Sequence, residues 1–514
     1  MSNLSFIKKL VNGKNCYSDH MAPDELNILR IESTVEITIH DLIANNKIVF
    51  IAGNPGDGKT FIIKSLVAKH DIYTVTDLNN ISDYQEVAEN IAKCYDQSKP
   101  AIIAANEYPF LLLEKAIRNY RPDIADEITN IRDSAIVYSP DKATVKNIAV
   151  IDLNNRNLLD ADRNIPEKIL DKMLRLLKED DTISPSLQYN ITALENDFIK
   201  HQLLELFHLS TIGNDHFAMR DILGAFAFLL TACETDEYKD IPYYKAVFLG
   251  NNNLLNTIRK YDPIKLSSYT LDEDLWNGNI AEGWLVQVPE QWPNDESFDD
   301  DVSEAVEQFK DIKRRYYFEN EGGAKLASAQ PYQILDYNLF TQFESKRKAI
   351  KENIILAINK LFLPTDNNRK ELHIWTTHHY NLSMETTVAV STSYVSSNNL
   401  DIYMPRPASW LKDMEFTPSY ILLQPKSSLS NDSLPALRLD IDFLRVLESV
   451  RDGYPVSLLP PQYEQAANAF LQQLKNTEYA DEYGEDEIII ASRDNNYKIQ
   501  ISTSGNKYSF VNED

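Results

Sequence analysis

The sequence predicts an α/β fold: a parallel sheet bearing a glycine-rich loop, a helical lid, and then an α+β C-terminal module. Three observations predict it. Short, continuous apolar runs alternate with amphipathic helical stretches in the N-terminal part, which implies crossover connections and a parallel sheet. A series of helical patterns with no convincing strand between them follows. Beyond "ESKRKAIKENIILAINKLF", the pattern turns strand-rich, with period-two alternation.

The elements follow in chain order. Residues 1–46 read as helical, with "TVEITIHDLIANN" placing an apolar stripe ahead of the first strand. "KIVFIA" (47–52) is a strand of the kind buried on both faces. "TFIIKSLVAKH" is the helix after it. "DIYTVTDL" (71–78) is a second strand, and "SDYQEVAENIAKCYDQ" a helix with Ser82 as its expected N-cap. "PAIIAANE" (100–107) is a third strand, followed by the helical "YPFLLLEKAIRNY". After an irregular stretch, "NIAVIDLNN" (147–155) is the fourth. These boundaries give a core with N-terminal helices over 1–162, a helical lid over 163–262, a connector over 263–345 and an α+β module over 346–514. In the connector, Trp276, Trp284 and Trp292 stand among acidic residues and are expected to dock onto a neighbouring domain. The C-terminal "DEIIIASRDNNYKIQISTSGNKYSFV" reads as a hairpin.

Between the first strand and its helix lies "GNPGDGKT" (53–60), three of the 14 glycines of a 514-residue chain in one octet. It matches G-x-x-x-x-G-K-[ST], the P-loop, at every defined position. Gly53, Gly56 and Gly58 let backbone N–H groups converge on an anion with no Cβ in the way, and the following helix adds its positive N-terminal dipole. Lys59 supplies a mobile cation for the β- and γ-phosphates, and the Thr60 hydroxyl can ligate Mg²⁺. The expected nucleotide contacts are Gly53, Asn54, Pro55, Gly56, Asp57, Gly58, Lys59, Thr60 and Phe61. A guanine-specific N-K-x-D loop is missing, since "NKLF" (359–362) and "NKYS" (506–509) lack the aspartate, so ATP is the expected ligand.

Hydrolysis needs a carboxylate near Mg²⁺ and one that orients water. The third strand ends Asn106-Glu107, an amide where an aspartate is usual, and Glu107 is the expected water-orienting base. Asp77 and Asp152 are competing carboxylates. In "IDLNNR", Asn154 is expected to hydrogen-bond the γ-phosphate or water, whereas Asn155 faces the other way. Developing phosphoryl charge calls for a cation. Arg220, opening "MRDILGAFAFLL", would serve in cis, and Arg156, Arg314 and Arg315 are candidates to act in trans from a neighbouring subunit. His373, His378 and His379 read as surface strand residues rather than metal ligands. "DEYK" (236–239) echoes a nuclease motif without the strand such sites use.

Composition bounds the rest. Three widely spaced cysteines argue against a disulfide framework or a zinc site and for a reducing compartment, the cytoplasm. No apolar run approaches the ~18 residues of a membrane span, and no signal peptide is read. The net charge of −26 repels nucleic acid on average. DNA contact would need a confined channel or a basic partner subunit.

"GNPGDGKT", a strand ending "NE", "IDLNNR", "HFAMRDIL" and the "YDP" element at 261–263 together resemble a group of bacterial P-loop, AAA+-like ATPases of phage-defence and restriction operons. That group includes phosphorothioation-dependent restriction ATPases. The resemblance ends near the "YDP" element. It implies an ATPase acting in an oligomeric, multi-protein defence complex in which a partner does the damage. It carries nucleotide contacts onto Gly58, Lys59 and Thr60, and hydrolytic roles onto Glu107 and Asn154. The alternatives are an ATP-gated scaffold with little hydrolysis, which Asn106 permits, and a P-loop kinase.

Overall fold

The computed structural model describes residues 2–12, 25, 28, 30–31, 33–67, 72–137, 144–160, 164–180, 183–210, 216–266, 268–280, 284, 286, 298–323, 342–379, 387–426, 434–483, 488–492, 497–504 and 507–512. Trp292 lies outside them. The chain divides into two compact units. The first is Met1–Ile334 with Arg406–Thr417, and the second is Leu335–Pro405 with Pro418–Asp514.

In the first unit, helices α1 (Asn3–Leu10) and α2 (Thr34–Ala44) precede strand β1 (Ile48–Ala52). Helix α3 (Lys59–Val67), strand β2 (Tyr73–Val75), helix α4 (Tyr84–Asp96) and strand β3 (Ala101–Ala105) follow. Helices α5 (Glu107–Tyr120) and α6 (Pro122–Asp133), strand β4 (Ile136–Val137) and strand β5 (Ile148–Asp152) complete the layer. β2, β3, β1 and β5 form, in that order, a four-stranded sheet in which every pairing is parallel. Every residue of β1 and β3 is buried, as their unbroken apolar runs require.

Side chains alternate across the sheet. Ile48 and Phe50 face a cluster that includes Ile91 of α4, Leu113 and Ile117 of α5 and Ile128 of α6. Val49 and Ile51 face Val35, Ile39 and Ile43 of α2 and Ile62 and Ile63 of α3. Leu411 and Met414 join that second face, because Arg406–Thr417 leaves the C-terminal stretch and packs here. Arg406–Pro407 pairs antiparallel with β4, and Ala408 N–H donates to Ala135 O at 2.8 Å.

Local details differ from the expectation. Asp83, not Ser82, caps α4, accepting from the N–H groups of Gln85 and Glu86. The stretch expected to be irregular contains α6, opened by Pro122 at its first position, where proline lacks nothing a helix needs.

Helices Ile165–Lys178, Pro185–Glu195, Asp197–Leu209 and Met219–Thr231 share one apolar core. Phe207 and Phe226 stack at its centre, 4.8 Å between ring centroids. Phe6, Ile7 and Leu10 of α1 belong to this cluster rather than to the sheet. So do Leu275, Trp284 and Tyr316–Phe318 from the expected connector, which forms helices Tyr269–Trp276 and Phe298–Glu319. Trp276 packs against Phe309 and Trp284 against Tyr316, both on the second of these helices, and Trp284 also joins the core of the lid helices.

The second unit is built on helix Phe343–Phe362 and antiparallel strands. Leu437–Asp440, Tyr420–Pro425 and Leu400–Tyr403 form one sheet. Glu371–His379, Thr387–Ser396, Asp481–Glu482, Ile488–Ser492, Tyr497–Ser504 and Lys507–Asn512 form another, so the expected terminal hairpin is three strands. His373 is buried rather than on the surface, beside Asp366 and Tyr483; the side chains of His378 and His379 fall outside the description.

Candidate functional site

β1 is central and β3 and β5 flank it, so its carboxyl end lies where the strand order reverses direction. Open α/β sheets leave a crevice at such a point. The octet turns there. Ala52 is level with Ala105 on one side and Asp152 on the other, which brings Asn106-Glu107 and Asp152 to the edges of the loop.

Gly56 (φ +100°) and Gly58 (φ +87°) occupy the left-handed region that side chains disfavour. A Cβ on Gly56 would lie 2.8 Å from Cδ of Arg220, so the lid arginine rests directly against the loop. Lys59 Nζ donates to the carbonyls of Gly53 and Asn54, both at 2.8 Å. Burial pulls the Lys59 ammonium below its ordinary value, while Asp57, Asp77 and Asp152 act to raise it. The amides of Lys59, Thr60 and Phe61 open α3, where helix geometry leaves N–H groups without intrahelical acceptors.

Asp57 is buried. Its Oδ2 accepts from Asn54 N–H at 2.6 Å, and its Oδ1 bonds His216 Nε2 at 2.8 Å. Asp77 closes a 3₁₀ turn, accepting from Asn79. Asp152 accepts from Asn154 N–H at 3.0 Å. Burial raises the Asp152 carboxyl above the usual carboxylate range despite that bond and Arg132, with Glu107 and Asp57 adding to the rise. The side-chain oxygen of Asn154 is buried without a partner, while Asn155 is exposed.

Glu107 sits at the first position of α5, and Asn106 holds the N-cap place without a side-chain cap bond. Arg132 of α6 donates to Glu107 Oε1 at 2.6 Å, stands 4.0 Å from Asp152 Oδ2 and stacks over Phe110. Sequence reasoning missed Arg132, which lies in the stretch taken as irregular and in no motif. A helical reading of "PDIADEITNIRD" would have put it on a helix. It also gave no role to His216, the first residue of "HFAMRDIL", where only the arginine was singled out.

The three arginines expected to act in trans are each paired within the chain. Arg156 is buried against Glu415, Nε to Oε2 at 2.6 Å. Arg314 is buried in a fork with Asp262 at 2.7 Å, and Arg315 pairs with Glu319 at 2.7 Å. Each satisfies a carboxylate of its own chain, which fixes its direction.

The structure therefore brings together the octet, Glu107, Asp152, Asn154 and Arg220. The class these features define is an α/β protein with a four-stranded parallel sheet and a glycine-rich loop at its carboxyl edge. No family model matches the chain, and no curated protein and no solved structure matches it either. Among the described residues no helix is long and apolar enough to cross a membrane.

Proposed function

We propose that the chain binds ATP with Mg²⁺ at the Gly53–Thr60 loop and hydrolyses it, as a switch or motor subunit of a cytoplasmic, multi-protein bacterial defence complex. One observation carries the nucleotide reading: a desolvated lysine and two left-handed glycines turn at the switch point of a parallel sheet, with carboxylates on both sides. The loop's geometry is compatible with a polyphosphate: Gly58 turns with open space beside it, and Gly56 lets Arg220 come close where a Cβ would meet it within 3 Å. The Asp152 carboxyl, held above its ordinary range chiefly by burial, would gain from a nearby cation. Thr60 with Asp77 and Asp152 are the groups that would hold Mg²⁺, which supplies charge neutralisation at the phosphates. Lys59 exchanges its loop carbonyls for phosphate oxygens. Glu107 orients water, Asn154 presents its unpartnered oxygen to that water, and Arg220 covers the loop from the lid. The defence role rests on the sequence resemblance.

A scaffold that binds ATP and barely turns over has an observation of its own. Asn106 replaces an acid, and Glu107 is held by Arg132. Lys59→Ala is the test. Mg-ATP turnover should vanish in it, and an undiminished rate refutes the reading. Slow wild-type turnover with ATP retained through gel filtration would favour the scaffold.

A further inference from the structure

We propose that His216 and Asp57 form a proton-linked latch between the lid and the glycine-rich loop, making His216 a positioning residue for the bound triphosphate. The inference rests on the triphosphate reading of that loop and deepens it.

Asp57 occupies a variable position of the octet, where no phosphate contact requires a carboxylate. Its side chain is nevertheless only 3% exposed, with both oxygens engaged. One oxygen closes the loop on Asn54; the other reaches out of the loop to a histidine more than 150 residues away. That histidine lies in the segment running straight into Met219–Thr231, the helix whose Arg220 rests on Gly56. The lid therefore grips the loop at two adjacent points, and the Asp57–His216 contact is the one able to change charge near neutral pH.

An anion seated on the loop amides adds negative charge beside a carboxylate that is shut away from solvent. A neutral imidazole leaves that repulsion standing; an imidazolium cancels it. Triphosphate binding and protonation of His216 must therefore favour one another, by reciprocal linkage. The groups facing the ring are Asp57 from the loop, the main chain of Arg156 from the turn after β5, and Asp221 from the lid helix. Asp57 also bears on the Lys59 ammonium, whose value its charge acts to raise. Burial is the largest influence and works against charging the ring, but the Asp57 bond and charge together with the Arg156 main chain and Asp221 outweigh it, so His216 already lies above its ordinary value. Bound triphosphate raises it further. Affinity is thus highest below the free-state value and falls as pH rises through the bound-state value.

The test is calorimetric titration of the full chain with a nonhydrolysable ATP analogue and Mg²⁺ at pH 6, 7 and 8. Wild type and His216→Gln are compared, because Gln keeps a donor for Asp57 and cannot titrate. The protonation of the ligand is common to both proteins and cancels. Wild-type affinity should fall at least about fivefold over the range, the low end of typical coupling. His216→Gln should bind with that slope lost. Asp57→Asn, which keeps an acceptor for the ring and removes the charge, should lose it too and serves if His216→Gln does not fold. Either folded variant binding with the wild-type slope overturns the latch while leaving the triphosphate site intact. A wild type that binds no analogue at any pH overturns the triphosphate reading and the latch with it.

Discussion

Arg156 and Glu415 meet through Nε and Oε2 at 2.6 Å, with side chains 3% and 0% exposed, although 259 positions separate them. Glu415 also accepts from the N–H and hydroxyl of Thr34. One carboxylate thus ties the start of α2, the turn after Asn154 and the Arg406–Thr417 strap into the first unit. Removing one partner of such a pair leaves a buried charge unmet, so Glu415→Ala should cost about 3–5 kcal/mol in chemical denaturation. A double change to packed apolar residues should recover much of the loss.

The same carboxyl sets an acid limit. Burial pushes the Glu415 carboxyl up, but Arg156 outweighs it and the net direction is downward. A carboxyl lower in the folded than in the unfolded state contributes stability above its unfolded value and loses it as pH falls through the folded one. Denaturation midpoints from pH 7 to pH 3 should therefore fall more steeply in wild type than in Glu415→Gln.

Gly56→Ala and Gly58→Ala separate crowding from backbone strain. Both positions have positive φ, but a Cβ on Gly56 meets Arg220 within 3 Å while one on Gly58 meets nothing within 4 Å. Each should cost on the order of 1–2 kcal/mol from the left-handed backbone. Gly56→Ala should also displace the lid arginine, and so weaken nucleotide binding in calorimetry more than its effect on the melting temperature accounts for.

Glu107→Gln should leave nucleotide affinity within about twofold and lower turnover by about 10²–10⁴, the usual contribution of general acid–base help. Single-turnover kinetics distinguishes this from a folding defect. An equal loss of binding would instead mark Glu107 as a structural partner of Arg132.

In the second unit, Asn359 of "NKLF" has a structural role. Its fully buried amide donates to the carbonyls of Asn368 and Glu371 and accepts from His373 N–H. Asn359→Ala would leave three backbone groups unmet and should cost on the order of 3 kcal/mol in chemical denaturation.

What the sequence alone determined is local. β1, β3 and β5 were legible because unbroken apolar runs mark strands covered on both faces. The octet was legible because positive φ and close phosphate approach both demand glycine. What no local pattern carries is which distant segments meet. Arg132 reached Glu107, His216 reached Asp57 and Glu415 reached Arg156 across 25, 159 and 259 positions, and no spacing in the sequence links the two ends of any of these pairs. Arg406–Thr417 lies in sequence amid the strands of the second unit, yet it belongs to the first, where it buries Leu411 and Met414 against the parallel sheet. Periodicity records that a side chain will be buried; only the folded chain decides against what, because pairing a charge or filling a face depends on neighbours that sequence distance does not reveal.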